Sequence, residues 1–477
     1  MKISHRTVPG ILFLLFAGGM GFSQATIDLD EDDFFGSTEV EAAEGQADVE
    51  NIEDEIDREM VGLSGNLEAS SSYTMTRDFF YGNEDWDANT LSHMVIGDFL
   101  IDIRLKKNFR AFMDINIGYL TNGQPIVHNF TVINSTGIPV YDYSLPGPSP
   151  TLTILPGTLI MVTEDATTLI GIKEIFVDFN IANAVYFRAG KQVLQWGRGY
   201  LWNPTDLINI DRKSFSNMSA LREGIFGLKT DVVFAREFHL YTFLDLNGVE
   251  DLDDIAFSAR AEFLAGTVEF GISSWLKYNK IPVYGADISL PIFWDISMTA
   301  EASLSWGHNT GKMRTDGSTY VMRDELVPRV AVGLSRTFDF MDVDDRIMVN
   351  AEFYYNHAGY DDNMFESLSL ADLAVFYTDY YESGNYGKYY GALFVTINEF
   401  FRKDMTLSVS GMGNFSDLSF IAMASLSIVP VNNFTLTFTA TSYLGPDNRE
   451  FSISVNPESY ALGNNMLSLS VGAKVVF

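Results

Sequence analysis

The chain has no cysteine, which excludes a disulfide framework, a thiolate metal site, a cysteine nucleophile and a lipid-bearing N-terminal cysteine. That absence leaves the compartment open. Beyond the N-terminus no run is both long enough and apolar enough to form a spanning helix. Basic residues are also scarce: 31 Lys and Arg stand against 63 Asp and Glu, a net charge of -32 at pH 7. Binding phosphate backbones needs basic clusters, and none occurs, so nucleic acid is excluded as a partner.

What is present points elsewhere. The 477 residues are 47% hydrophobic and 14% aromatic, enough for two or three soluble domains or for one large barrel. High aromatic content without a spanning helix suits a barrel whose lipid-facing residues occupy every second position. Residues 1–24 combine Lys2 and Arg6, the apolar stretch Ile11 to Ala17, and small residues through Ser23. This is the pattern of a secretory signal, with a core too short to span a membrane. Residues 25–60 carry about fifteen carboxylates against the single Arg58, a composition that cannot build its own core. Val49, Ile52, Ile56 and Met60 fall at helical spacing there, which admits a short amphipathic helix. The run Asp28 to Asp33 offers carboxylates to a hard cation, but it lacks the glycine and distal glutamate of a calcium loop and reads as a solvated acidic tail. No motif calls for a cofactor.

From Val61 to Phe477 the period is two. In one segment Val95, Phe99, Ile101, Ile103 and Leu105 oppose Asp98, Asp102 and Arg104. In another, Phe257, Ala259, Ala261 and Phe263 oppose Ser258, Arg260 and Glu262. A third sets Ile347, Val349, Ala351, Phe353 and Tyr355 against Asn350, Glu352 and Asn356. The apolar faces are assigned to lipid and the charged faces to a lumen, making Asp98, Asp102, Arg104, Arg260, Glu262 and Glu352 lumen-facing. About eighteen such segments (sixteen to eighteen) are expected, an antiparallel up-and-down transmembrane β-barrel. Short connections, such as 107–108, 182–184 and 430–432, alternate with long ones, including 78–90, 122–167, 307–327, 359–386 and 445–465. Periplasmic turns and outer loops produce this alternation.

The stretch 190–209, GKQVLQWGRGYLWNPTDLIN, carries the candidate site. A strand is predicted over 185–196, with Arg188 and Gln192 on its lumen side. Gly197, Gly199 and Pro204 then break pairing and open a third outer loop at about 197–220. Trp196, Tyr200 and Trp202 either pin this loop to the wall or offer a stacking surface to sugar-like rings. Asn203 to Asp206 is expected to form a turn, with pore lining as the alternative. Arg198, Asp206, Asp211, Arg212 and Lys213 bring charges of both signs to a constriction, where opposed fixed charges filter polar solutes. Lys191 falls on the apolar side, which requires a bulge or a snorkelling position.

Two stretches resemble known families. The final strand alternates Leu467, Leu469, Val471, Ala473 and Val475 with small and polar residues and stops on Phe477. This resembles the C-terminal signature of bacterial outer-membrane proteins, which implies recognition by the barrel-assembly machinery. Gly190, Lys191, Gln192, Trp196, Gly197, Asn203, Pro204 and Asp206 resemble a pattern in outer-membrane porins of the alginate-export-like kind. The resemblance implies a porin-like channel in the outer membrane, passing small polar solutes. A homotrimer is compatible with this strand pattern, as is a monomer. A weak cation preference is expected from the excess of carboxylates. A gated or plugged transporter for a hydrophobic ligand and a surface adhesin are the alternatives. An enzyme is not expected: the six histidines are scattered, and His357 with Asp361 and Asp362 lacks an opposing acidic pair.

Overall fold

The computed structural model describes residues 61–77, 90–106, 109–121, 159–162, 166–182, 184–194, 196–208, 224–235, 237–341, 343–455 and 462–477. Residues 1–60, the expected signal and acidic segment, lie outside them, as do Asp211, Arg212 and Lys213.

Eighteen strands form one closed antiparallel wall. The first five are β1 (Val61–Thr76), β2 (Thr90–Lys106), β3 (Phe109–Thr121), β4 (Ala166–Ile181) and β5 (Val185–Gln192). Then come β6 (Ile225–Ala235), β7 (Phe238–Asp245), β8 (Ala256–Ala265), β9 (Val268–Lys277), β10 (Val283–Pro291) and β11 (Ser297–Trp306). The circuit ends with β12 (Leu326–Phe340), β13 (Val343–Asn356), β14 (Tyr389–Ile397), β15 (Met405–Asn414), β16 (Ser419–Val431), β17 (Phe434–Leu444) and β18 (Leu462–Val476). Each strand pairs with its sequence neighbour, and β1 pairs with β18, which leaves no open edge. At the seam Gly65 and Phe477 exchange both backbone hydrogen bonds, at 2.8 and 2.9 Å. The Phe477 ring lies 6.1 Å from that of Phe99.

The alternation fixes the two faces. Along β8, Ala256, Ser258 and Arg260 are buried inward while Phe257 points out. Val95, Phe99, Ile117, Ile272, Phe353 and Val471 join Phe257 among the exposed large apolar side chains of the exterior. With neighbouring strands paired all the way round the ring and apolar side chains outside, the wall meets the two conditions for crossing a bilayer.

One expectation needs correction. The strand predicted over 185–196 ends at Gln192, so the third connection opens at Val193. Gly190 has φ +135°, and one strand away β4 carries a bulge, where Asp114 pairs with Glu174 but Ile115 pairs with Ile172. The register of β5 is unbroken, and beside this irregular backbone Lys191 is buried, its Nζ donating to the Ile172 carbonyl at 2.7 Å. The long connection 359–386 has regular structure of its own. It holds two helices, α1 (Met364–Ser367) and α2 (Leu370–Asp379), each N-capped, by Asn363 and Ser369 respectively.

Candidate functional site

The described part of the third connection, 193–194 and 196–208, reaches across to inward-facing wall residues and is held at three places by carboxylates of the wall. At its start, the Val193 amide donates to Glu174 at 2.6 Å, and at its end the Gly224 amide donates to the Lys173 carbonyl at 3.0 Å. Both partners sit at the β4 bulge. The middle of the loop reaches β11, where Glu301 accepts from the amides of Arg198, Gly199 (2.5 Å) and Thr205 (3.3 Å) and from the Thr205 hydroxyl (2.8 Å). Two strands further, Glu352 on β13 accepts from the amides of Tyr200, Leu201 (2.8 Å) and Trp202 (3.1 Å). Backbone amides in a turn converge on a small volume, and an ionised carboxylate is the acceptor that satisfies several of them at once.

The glycines make this approach feasible. Gly197 has φ +92°, and a Cβ there would lie 2.8 Å from a Glu301 carboxylate oxygen. At Gly199 a Cβ would lie 2.1 Å from the Trp202 carbonyl. The strand has already ended at Gln192, so what both glycines do is clear space for the anchor.

Charge gathers beside the loop on β8, β9 and β10. The Arg198 Nε donates to Asp287 at 2.7 Å, and its other nitrogens meet Glu269 and, at 3.6 Å, Glu262. Asp287 also takes two bonds from Arg260, at 2.6 and 2.9 Å, so one buried carboxylate bridges two guanidiniums. On the other arc of the wall, Arg188 grips Asp178 with two bonds at 2.7 and 2.9 Å and stacks 3.9 Å above the Phe176 ring. Arg110 reaches Asp102 at 2.9 Å, joined there by Arg104 at 3.4 Å. Asp98 is held by Lys173, Asn116 and Asn66.

The aromatic residues have different neighbours. Trp196 is buried with Leu194, Ile208, Ile225 and Phe243. Trp202 stacks on Tyr354, with ring centroids 5.5 Å apart, and its Nε1 donates to the Gly384 carbonyl at 2.9 Å. Tyr200 alone of the three stays partly exposed, edge-on to Phe394 at 4.8 Å. Asn203 closes a turn, donating from Nδ2 to the Gly199 carbonyl at 2.8 Å, while its own carbonyl accepts from the Asp206 amide at 3.0 Å.

Two expected positions differ in detail. Gln192 faces inward but lines no open surface: it is fully buried and donates to the backbone carbonyls of Arg188, Gly190 and Gly227. Glu352 likewise faces inward but lies beneath the loop, not in contact with solvent. Sequence reasoning missed Glu301 and Asp287. Their signal was a carboxylate in mid-strand among small residues, Ala-Glu-Ala in β11 and Gly-Ala-Asp in β10, on the inward parity. His357 bonds the Tyr355 hydroxyl at 2.8 Å and Asp361 pairs with Lys388, so these residues do not assemble an acid–base site.

No protein-family description matches the chain, and no curated protein matches it. Among solved structures, the chain is similar to OccAB1 of Acinetobacter baumannii, at 9% identity over 87% of this chain and 96% of that one, TM-score 0.48. It is similar to a BenF-like porin from Pseudomonas fluorescens Pf-5, at 8% identity over 87% and 99%, TM-score 0.48. It is also similar to OccK2 (OpdF) of Pseudomonas aeruginosa, solved in complex with glucuronate, at 9% identity over 87% and 98%, TM-score 0.47.

Proposed function

We propose that the chain is an outer-membrane channel for passive diffusion of small polar solutes, with residues 193–224 as its constriction. The observation that carries this reading is the third loop drawn into an eighteen-strand barrel and seated on Glu301 and Glu352. A barrel of about this size encloses more volume than wall side chains fill, so a loop inside it sets the opening. The fixed charges beside the loop give the opening its filter. Arg198 and Arg260 face Asp287, Glu262 and Glu269, two cations against three carboxylates, which supports a weak preference for cations. Residues 1–24 serve as the export signal and 25–60 as an acidic periplasmic segment. Phe477, at the seam, serves as the signal to the barrel-assembly machinery. The likeness of Gly190 to Asp206 to alginate-export-like porins belongs to the same proposal. So does a homotrimer in outer-membrane lipid.

Single-channel recording of the refolded protein in planar bilayers under a salt gradient tests the proposal. Discrete steps with a modest cation preference are expected. Arg198→Ala removes the cation paired with Glu269 and Asp287 and shifts the reversal potential further toward cations. A folded barrel that never conducts would overturn the open channel and return the reading to a plugged transporter or an adhesin.

A further inference from the structure

Glu301 and Glu352 do more than satisfy a buried loop. They sit on strands β11 and β13, six and eight strands along the wall from β5, where the loop begins. Between them they accept from the backbone amides of Arg198, Gly199, Tyr200, Leu201, Trp202 and Thr205. Backbone amides carry no side-chain identity, so this seat fixes where the loop lies independently of which residues it displays. The surrounding wall is cut to receive it: a Cβ at Gly285 on β10 would stand 3.4 Å from the Thr205 Cβ.

We propose that these two carboxylates are positioning residues, a two-point clasp that sets the cross-section and the charge filter of the channel. The proposal rests on the channel reading above. The two points divide the task. Glu301 holds the Arg198 and Gly199 amides and thereby aims the Arg198 guanidinium at Asp287, so it governs selectivity. Glu352 holds the Tyr200 to Trp202 amides and thereby seats Trp202 against Tyr354, so it governs the width of the opening.

A glutamine keeps the volume of each anchor but replaces one acceptor oxygen by a donor, which faces amides that also donate. The expected result for Glu301→Gln is a shifted reversal potential with little change in conductance. For Glu352→Gln the expectation is the reverse. The pair E301Q/E352Q releases the loop and raises conductance by about twofold, since the loop no longer narrows the lumen.

A disulfide staple separates loss of the clasp from general damage. The chain has no cysteine, so T205C/G285C creates the single available pair. S273A accompanies it, because the Ser273 hydroxyl stands 2.4 Å from the new Cβ. The spacing of 3.4 Å is close to the Cβ separation of about 3.8 Å in a disulfide. In the E301Q/E352Q background the oxidised staple is expected to return conductance to the wild-type level, and reduction to release it again. The yield of disulfide, read by gel mobility on barrels that pass a heat-modifiability check, needs no current. With both glutamates present the staple closes quickly, and without them slowly. Equal closure in both backgrounds overturns the clasp even if the channel conducts. A silent wild-type barrel with glutamate-dependent closure overturns the channel reading and leaves the clasp standing.

Discussion

Two inner loops of this barrel are held in opposite ways. The described part of the third loop has no core of its own: Trp196 at its base and Leu201 and Trp202 at its tip are buried among residues of the wall, the latter two beside Tyr354, Tyr390 and Phe394. Its tip is suspended from wall carboxylates through its own backbone. The loop at 357–388 carries its own core: Met364, Phe365, Leu373, Phe376 and Tyr386 are buried together, with Tyr360, Tyr377 and Tyr381 packed around them. Helix α2 presents Leu373 and Phe376 three residues apart on one face, as an amphipathic helix must, and Tyr360 and Phe365 meet the Phe376 ring edge-on at 5.4 and 5.7 Å. A loop held by the wall moves when the wall's charges change. A loop with its own core moves only when that core is broken.

The largest effect is expected from breaking the self-supported loop. Phe376→Ala removes a fully buried ring from the cluster and should cost about 3–5 kcal/mol of local stability. Hydrogen exchange and proteolysis across 357–388 should rise sharply, while amides 198–202 keep their protection. Loss of protection at both loops would show that the two are one cooperative unit.

Acidity sharpens the comparison at the outer loop between β17 and β18. Glu450 is buried there, accepting from the Gly384 amide, the Tyr390 hydroxyl and Asn414, and it lies near Asp417. Burial pushes its carboxyl up to about 8, from an ordinary value of 4.5. Between those values the folded loop keeps a proton that the unfolded segment has released. Stability at this corner is therefore full below about pH 4.5, falls as pH rises toward 8, and is flat above. Thermal midpoints or exchange rates at 445–455 should follow that course, and Glu450→Gln should abolish it. A profile that rises with pH would contradict the assignment.

The smallest effect is expected where the loops meet. Gly384 gives its carbonyl to Trp202 and its amide to Glu450, so one residue joins three loops. Trp202→Phe keeps a ring against Tyr354 but loses the bond to Gly384 and part of the indole's packing, a cost of about 1–3 kcal/mol. Slightly faster exchange on both sides of the contact is expected. If only one loop responds, that hydrogen bond does not couple them.

Much of this was legible because a barrel wall repeats one local rule. Alternation in β2, β8 and β13 identified the buried face that carries Asp98, Arg260 and Glu352. The helices in 357–388 were harder to see, because capping by Asn363 and Ser369 is a short signal inside a segment rich in tyrosine. The end of β5 was misplaced by four residues, since the alternation of the sequence runs on past Gln192 while pairing stops there.

Sequence alone determined that the chain forms a closed, even-stranded, lipid-facing wall, because side-chain parity and turn chemistry are decided within a few residues of chain. It also located the loop that departs from that pattern, through Gly197, Gly199 and Pro204. Only the tertiary structure decided where that loop goes. Glu301 and Glu352 are about 100 and 150 residues from the amides they hold, and which inward carboxylate meets which amide depends on the closure of the whole ring. Long-range pairing of this kind leaves no local pattern, because a single glutamate among alanines looks the same whether it faces water or three backbone amides.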